Sequence, residues 1–181
     1  MEVRHIVLVG LPGVGKTTVG RGVASRLRRR FVDLDSLIER SFGKRTVEIF
    51  AEEGEDAFRL REAEVSRGVA QMAPCVVAPG GGWLLNQSAS GHLLQRSRII
   101  YLRVSPDAAV RRMGRGIERR PLLGAVADPY IAMRALYEAR GPVYERSAEI
   151  TIDTAGIGRS DVIALVVANV LAAERDLGGR E

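Results

Sequence analysis

The chain is poor in cysteine and has no long hydrophobic run. Its only cysteine, Cys75, cannot form an intramolecular disulfide, and we expect it to be a small buried residue in a reducing compartment. The longest apolar stretch, Val162 to Ala173, is far shorter than the roughly 20 residues that span a bilayer, and we expect a buried helix there. The N-terminus lacks the basic and then apolar pattern of a secretory signal. We therefore expect a cytoplasmic protein without a membrane partner.

Aromatic residues are also scarce, at 5% of the chain, although the net charge is +5 and the isoelectric point is near 10.0. A basic balance favours anionic partners, which include nucleic acids, acidic membranes and phosphorylated or carboxylated small molecules. The densest basic run, Arg26 to Arg30, falls at the predicted end of the first helix, where cations complement the helix dipole. Because it has no interleaved aromatic residues for stacking on bases, we expect small anionic substrates and no nucleic acid.

A phosphate-binding loop is the most informative motif that is present. Residues 10–17 read G-L-P-G-V-G-K-T, and they match the pattern G-x-x-x-x-G-K-[ST] directly after the apolar run at residues 6–9. Its glycines let backbone N–H groups point at a polyphosphate, and the following helix adds the positive end of its dipole. Lys16, one of two lysines among 27 cations, is expected to reach the β- and γ-phosphates, and Thr17 is expected to hold magnesium.

Short apolar runs alternate with longer amphipathic segments along the whole chain. This alternation predicts one α/β domain, residues 1–181, in which helices cover both faces of a parallel sheet. Strands are predicted at Arg4–Val9, Phe31–Asp33, Cys75–Ala78, Ile99–Arg103 and Glu149–Asp153. Helices are predicted at Thr17–Leu27, Asp35–Ser41, Thr46–Glu53, Glu55–Met72, Asn86–Gln95, Pro106–Met113, Pro129–Ser147 and Ser160–Leu177.

Side chains that could bind a metal ion or a substrate follow the predicted strands. They lie at the edge of the sheet where folds of this class bind ligands. Asp33 and Asp35 are two residues apart and share one face of an extended segment. One carboxylate could hold hydrated magnesium while the other accepts a substrate hydroxyl. The alternative, that both cap a helix, explains one aspartate more easily than two.

Three further segments are candidates for the same cleft. Arg59 and Glu62 are three apart on a predicted helix, so Glu62 can orient the guanidinium, although such pairs are also common on protein surfaces. The glycines at residues 80–82 allow a close backbone approach to a ligand, with a flexible loop as the alternative. Residues 113–127 contain arginines and glycines, and we expect a lid that closes over the transferred phosphoryl group, with a solvated loop as the alternative.

Taken together and in this order, the motifs resemble those of the shikimate kinase family from the phosphate loop to the last strand. The segments that carry the resemblance are Gly10 to Thr17, Phe31-x-Asp33-x-Asp35, Phe58-Arg59-x-x-Glu62, Gly80-Gly81-Gly82, Arg120-Pro121-Leu122-Leu123 and Arg140-x-Pro142-x-Tyr144. The resemblance implies a P-loop kinase fold of the nucleoside-monophosphate-kinase type, with a five-stranded parallel sheet of order 2-3-1-4-5 and a mobile lid. It also implies ATP-dependent phosphorylation of the 3-hydroxyl of shikimate, a step of aromatic amino-acid biosynthesis through chorismate.

The same resemblance assigns roles to individual residues. The catalytic residues implied are Asp35, Lys16 and Arg120. The shikimate ligands implied are Asp35, Arg59, Gly81 and Arg140, with substrate-binding helices at about residues 33–62. The ATP contacts implied are Gly13, Val14, Gly15, Lys16, Thr17, Thr18, Arg112 and Arg120, and the magnesium ligands are Thr17 and Asp33. The sequence departs from the residues usual in the family at Pro79, Trp83 and Thr46. We also expect the protein to be a monomer.

Two other functions remain open at this stage. Another small-molecule kinase of the same fold, such as a gluconate kinase, would have the phosphate loop and lid but gives no reason for Asp35, Arg59 and Arg140 to occur together. A non-catalytic nucleotide-sensing module would often have lost the magnesium or base carboxylates, and Asp33 and Asp35 are both present.

Overall fold

The fold is built around a parallel sheet of five strands. The structure is a computed structural model, and it describes residues 4–119, 123 and 128–178. Its strands are β1 (His5–Val9), β2 (Phe31–Asp33), β3 (Val76–Ala78), β4 (Ser97–Arg103) and β5 (Ile150–Asp153). Their spatial order is β2-β3-β1-β4-β5 and all four pairings are parallel, which confirms the predicted order.

Helices cover both faces of this sheet. They are α1 (Lys16–Leu27), α2 (Leu34–Phe42), α3 (Thr46–Ala70), α4 (Gln87–Leu94), α5 (Pro106–Met113), α6 (Pro129–Ser147) and α7 (Arg159–Gly178). Short 3-10 helices lie at Trp83–Leu85 and Gly114–Arg119. Because both faces are covered, the central strands are apolar without alternation, and residues such as Val7, Leu8, Ile100 and Leu102 are fully buried.

The strand order places a crevice above β1. The chain runs from β1 out to β2 at one edge of the sheet, returns to β3 beside β1, and then crosses over β1 to β4 on its other side. The connections that leave β1 and β3 therefore go to opposite sides and diverge at the carboxyl edge of the sheet. The segments after β1, β2 and β3 are the phosphate loop, the Asp35 turn and the three glycines. Topology therefore brings all three to one edge.

Helix α3 changes direction where the sequence predicted a break between two helices. Gly54 has φ 84° and ψ 177°, which is not helical, and the helical hydrogen-bonding pattern continues on either side of it. Glycine adopts this conformation without the steric cost that a Cβ would add. Helix α3 packs against α2 and α4, and its buried residues Val65 and Val69 belong to the core.

The apolar run in α7 is only half-buried, so the prediction of a buried helix is wrong. Val166 and Val170 are buried against the core, whereas Leu165 is 44% exposed and Leu171 is 43% exposed. A helix in the outer layer of an α/β fold has the core on one side and solvent on the other. Among the helices that the structure describes, none is long and apolar enough to cross a membrane.

The basic run after α1 belongs to a helix end, as predicted. Helix α1 ends at Leu27, and Arg28 adopts a left-handed conformation with φ 54°. Its N–H donates to the carbonyls of Ala24 and Ser25, which closes the helix. Arg29 then forms an ion pair with Glu174 of α7 at 2.7 Å. Arg28 and Arg29 therefore have structural roles at this helix end.

Candidate active site

The phosphate loop joins β1 to α1 and is shaped by left-handed glycines. Gly10, Gly13 and Gly15 have φ values of 144°, 82° and 101°. A Cβ on Gly10 would lie 2.5 Å from the Leu102 carbonyl oxygen, and one on Gly13 would lie 2.5 Å from the Ala109 carbonyl oxygen. No other residue type fits these two positions without displacing the backbone of β4 or α5.

The start of α1 is suited to an anion. Gly15 stands at the N-cap and has no side chain that could cap the helix. The first N–H groups of α1 therefore remain directed at the cleft. Lys16 folds back over the loop, and its Nζ donates to the carbonyls of Gly10 at 2.8 Å and Leu11 at 3.1 Å. Its ammonium group is thereby held at the mouth of the loop, where the sequence predicted a phosphate contact.

Thr17 and Asp33 meet in the cleft although they lie on different elements. Thr17 Oγ1 donates to Asp33 Oδ2 at 2.8 Å, and Asp33 Oδ1 accepts from the N–H of Ser36 at 3.1 Å. Asp33 therefore caps α2 with one oxygen and accepts a hydrogen bond from Thr17 with the other. Of the two roles that the sequence left open, Asp33 is a helix cap and also faces the cleft. Asp35 is the second residue of α2, two positions after Asp33, and it lines the cleft instead.

The Thr17–Asp33 pair suits magnesium by its chemistry. The Thr17 hydroxyl uses its proton towards Asp33, which leaves oxygen lone pairs for a cation, and hydroxyl and carboxylate oxygens are ligands that Mg²⁺ prefers. Within residues 4–119, 123 and 128–178, no group of three or more His, Cys, Asp or Glu side chains could hold a metal.

The three glycines at residues 80–82 bring the predicted acid-binding side chains together. A Cβ built on Gly80 would lie 3.1 Å from Asp35 Oδ1, and one on Gly81 would lie 3.0 Å from Arg140 Nη1. A Cβ built on Gly82 would lie 2.7 Å from Arg59 Nη2. Helices α2, α3 and α6 supply these three side chains. One loop thus gathers a carboxylate and two guanidinium groups from distant parts of the sequence.

Arg59 is oriented by two carboxylates. Its Nη1 donates to Glu62 Oε2 at 2.8 Å, and its Nε and Nη2 donate to Glu55 Oε1 at 3.1 and 2.8 Å. Glu62 is fully buried, so the ordinary surface pair that the spacing allowed is not what forms. Burial alone would lower the pKa of Arg59, but the attraction of Glu62 and the bonds to Glu55 outweigh it and raise that pKa. The guanidinium remains charged and fixed in place.

Arg140 lies against the same loop, beside Gly81. It is only 7% exposed, and it belongs to the part of α6 that packs against the glycines. One turn further on, the buried Tyr144 hydroxyl donates to the Gly81 carbonyl oxygen. The sequence placed Tyr144 in a motif without assigning it a role, because its partner is a backbone atom 63 residues away.

The cleft has two adjoining parts. The larger has a volume of about 560 Å³ and runs along the phosphate loop past Lys16, Thr17, Thr18 and Asp33. The smaller, of about 80 Å³, is lined by Arg59, Arg140 and aromatic residues. Its aromatic wall is formed by Phe50 and Phe58, whose ring centroids are 4.7 Å apart. The residues common to both parts are Pro12, Asp35, Thr46, Gly80 and Gly81.

Asp35 therefore lies at the junction between a polyphosphate cleft and a small pocket with two cations and an apolar wall. A carboxylate on a small ring suits the two guanidinium groups, and the aromatic side chains suit the ring itself. A hydroxyl on that ring would meet Asp35 beside the phosphate loop. Leu123, which the sequence placed in a motif without a role of its own, and Leu136 also line the small pocket. The sequence did not single out Leu136, because an isolated leucine carries no motif.

The remaining predicted residues are placed less directly. Arg112 donates to Thr154 through Nη1 to Oγ1 at 2.9 Å and through Nη2 to the carbonyl oxygen at 2.6 Å, so it is fixed beside the loop after β5. Its contact with adenine stays a prediction. Arg120 lies outside the described residues, as do residues 121–122 and 124–127 of the predicted lid. Val14 is buried and lines neither part of the cleft, so its contact with ATP stays a prediction.

Comparison with known proteins agrees with this geometry. The family model described as shikimate kinase matches residues 12–171. A shikimate kinase from Symbiobacterium thermophilum is 43% identical over 164 residues, which cover 90% of this chain and 94% of that protein. A shikimate kinase from Bordetella pertussis is 41% identical over 170 residues, which cover 94% of this chain and 80% of that protein.

Solved structures give the same result. A shikimate kinase from Acinetobacter baumannii, in complex with shikimate, has a TM-score of 0.89 and 36% identity, with 94% of each chain covered. A gluconokinase from Sinorhizobium meliloti has a TM-score of 0.62 at 16% identity, with 97% of this chain and 96% of that chain covered, and shows the fold alone. On the strength of the family match and of these relatives, the chain belongs to the shikimate kinase family.

Proposed function

We propose that this chain transfers the γ-phosphoryl group of ATP to the 3-hydroxyl of shikimate, giving shikimate 3-phosphate and ADP in aromatic amino-acid biosynthesis. One observation carries the proposal. A single glycine loop gathers Asp35, Arg59 and Arg140 around a small pocket that opens onto the phosphate loop. The Acinetobacter baumannii relative, whose structure contains shikimate, supports the same choice of substrate.

Binding of the acid rests on the two arginines. Forked guanidinium groups match a carboxylate in shape as well as in charge. Arg59 is held by Glu55 and Glu62, and Arg140 is almost fully buried, so little side-chain entropy is lost when the acid binds. The ring lies against Phe50 and Phe58.

Positioning and charge stabilisation do most of the catalytic work. Phosphoryl transfer passes through a loose transition state with charge on the equatorial oxygens. Lys16 and the N-terminus of α1 stabilise that charge, and we assign Arg120 the same role. Asp35 orients the shikimate hydroxyl and accepts its proton as a weak base. Magnesium, when bound beside Thr17 and Asp33, neutralises charge on the β- and γ-phosphates.

The other candidates explain less. The match to a gluconokinase is at the level of fold, and a gluconate kinase gives no reason for two arginines and Asp35 to surround one loop. A non-catalytic sensor would not need the Thr17–Asp33 pair together with Lys16 and Asp35. No observation on the described residues favours either of them.

The test is a coupled ADP-release assay with shikimate, quinate, gluconate and no acceptor in parallel. We expect turnover that depends on shikimate and on added magnesium, and that stops on chelation with EDTA. Turnover with gluconate alone, or ADP release at the same rate with and without an acceptor, would contradict the proposal.

Two further measurements test the proposed partners. Light scattering after gel filtration tests whether the protein is a monomer. A binding assay with an oligonucleotide at physiological salt, in which we expect no binding, tests the proposed lack of a nucleic-acid partner.

A further inference from the structure

Asn86 connects the segment after the glycine loop to the acid-binding arginine. It ends the 3-10 turn Trp83–Leu85 and forms the N-cap of α4, where its Oδ1 accepts from the N–H of Ala89 at 3.3 Å. Its amide group points the other way. Nδ2 donates to the carbonyl oxygen of Arg59 at 3.0 Å and to Glu62 Oε2 at 3.1 Å.

The carboxylate of Glu62 depends on this amide. Glu62 Oε2 accepts from Arg59 Nη1 at 2.8 Å and from Asn86 Nδ2, while Oε1 has no hydrogen-bond partner among residues 4–119, 123 and 128–178. Glu62 is fully buried, so water does not replace a missing donor freely. Within the described contacts, Asn86 is the one neutral side chain that fixes the rotation of this carboxylate.

These contacts close a ring. Gly82 lies against the Arg59 guanidinium, Arg59 is held by Glu62, Glu62 by Asn86, and Asn86 follows Gly82 by one 3-10 turn. A change at Asn86 therefore acts on Arg59 from two sides, through its carbonyl oxygen and through Glu62. The ring does not include the phosphate loop.

We propose that Asn86 is a positioning residue for substrate binding, which holds the Arg59 guanidinium in place through Glu62. This inference rests on the proposed function, because Arg59 is the group that receives the shikimate carboxylate. Asn86 itself does not line either part of the cleft. Its effect is consequently on affinity for the acid, with chemistry and ATP affinity left nearly intact.

The primary test is Asn86→Ser. Serine is also a strong N-cap, so α4 keeps its cap, but both amide hydrogen bonds are lost. We expect the KM for shikimate to rise about tenfold, as for the loss of one or two hydrogen bonds to a charged group, with kcat and the KM for ATP within about twofold. Emission from Trp83, the only tryptophan and a fully buried one, reports that the variant is folded.

A second variant and a control separate positioning from general stability. Asn86→Asp keeps the cap but sets a second carboxylate against Glu62, and we expect a larger rise in the KM for shikimate than with serine. Ser105→Ala removes the N-cap of α5, where Ser105 Oγ accepts from the N–H of Ala108 at 3.3 Å, and α5 supplies no residue to the ring. It should lower Tm without changing the KM for shikimate.

A double-mutant cycle tests the route through Glu62. We expect Glu62→Gln alone to raise the KM for shikimate, and Asn86→Ser to add little in that background, because both substitutions disturb the same guanidinium. An unchanged KM in folded Asn86→Ser, or fully additive effects in the double variant, would overturn the inference. Wild-type protein without shikimate-dependent turnover would instead overturn the proposed function, so the two failures are distinguishable.

Discussion

Gly82 lies so close to Arg59 that a Cβ on the glycine would come within 2.7 Å of Arg59 Nη2. The guanidinium cannot move aside freely, because Glu55 and Glu62 hold it. Gly82 has φ −95°, so alanine is allowed by the backbone and the conflict is purely one of space. This contact makes the glycine a specific part of the acid-binding pocket.

We expect Gly82→Ala to raise the KM for shikimate at least tenfold while the KM for ATP stays near the wild-type value. A matched control is Gly91→Ala in the middle of α4, where a Cβ would meet no atom within 4 Å. That variant should keep its kinetics and gain about 0.5–1 kcal/mol of stability, since alanine is the better helix former. Equal kinetic effects of the two substitutions would show that the close contact does not matter.

Asp35 lies where the two parts of the cleft meet, so its loss should affect turnover more than nucleotide binding. We expect Asp35→Asn to lower kcat by about 10²- to 10⁴-fold, as for removal of a positioned proton acceptor. The dissociation constant of ATP, measured by calorimetry, should change little. Wild-type kcat in this variant would remove Asp35 from its assigned role.

The Thr17 hydroxyl should matter more than the size of the side chain. Thr17→Val keeps the shape but loses the oxygen that contacts Asp33 at 2.8 Å, whereas Thr17→Ser keeps it. We expect Thr17→Val to lose at least tenfold in kcat and to need more magnesium for half-maximal rate. Thr17→Ser should stay close to wild type, and the comparison is made by titrating magnesium at saturating ATP and shikimate.

Two buried tyrosines offer a matched test of stability. Burial raises the pKa of both Tyr101 and Tyr144 to about 12, so each hydroxyl stays protonated at neutral pH. Tyr144 donates to Gly81, whereas in the described part of the chain the Tyr101 hydroxyl has no partner. We expect Tyr144→Phe to cost about 1–2 kcal/mol in urea unfolding because it leaves a carbonyl unpaired, and Tyr101→Phe to be neutral or slightly stabilising.

The buried His5 should make the fold less stable in acid. Its Nδ1 accepts from the N–H of Cys75 at 3.2 Å, and its ring also bonds the carbonyl of Ala70. Burial, with help from Arg96 and Arg29, lowers the pKa of His5 below its usual 6.5 despite the Ala70 bond. As pH falls through 6.5, His5 becomes protonated in the unfolded chain but stays neutral in the folded protein, because its folded-state pKa is lower. The free energy of unfolding therefore decreases from pH 6.5 downward.

Thermal unfolding at several pH values between 7.5 and 5 measures this effect. We expect the free energy of unfolding to fall more steeply with acid in the wild type than in His5→Gln, which has no proton to take up in this range. His92→Gln is a suitable control, because that histidine is not buried in the core. Parallel pH profiles for wild type and His5→Gln would rule out this origin.

Much of the fold could be predicted because its signals are local. The β1 run, the phosphate loop and the start of α1 are adjacent in sequence, and the break at Gly54 follows from one residue. The burial of α7 could not be predicted in the same way, since Leu165 and Val166 look alike in sequence and differ only in which side faces the core. Burial of a helix depends on its neighbours.

The sequence by itself determined the chemistry available: a loop for phosphates, two carboxylates after β2, arginines at residues 59 and 140, and three glycines after β3. It did so because each of these features depends on residue type and short spacing. The tertiary structure alone decided that Glu62 is buried, that Tyr144 reaches Gly81, and that Asn86 completes the ring around Arg59. Such contacts join atoms far apart along the chain, and only the packing of α3, α4 and α6 around one loop brings them within hydrogen-bonding distance.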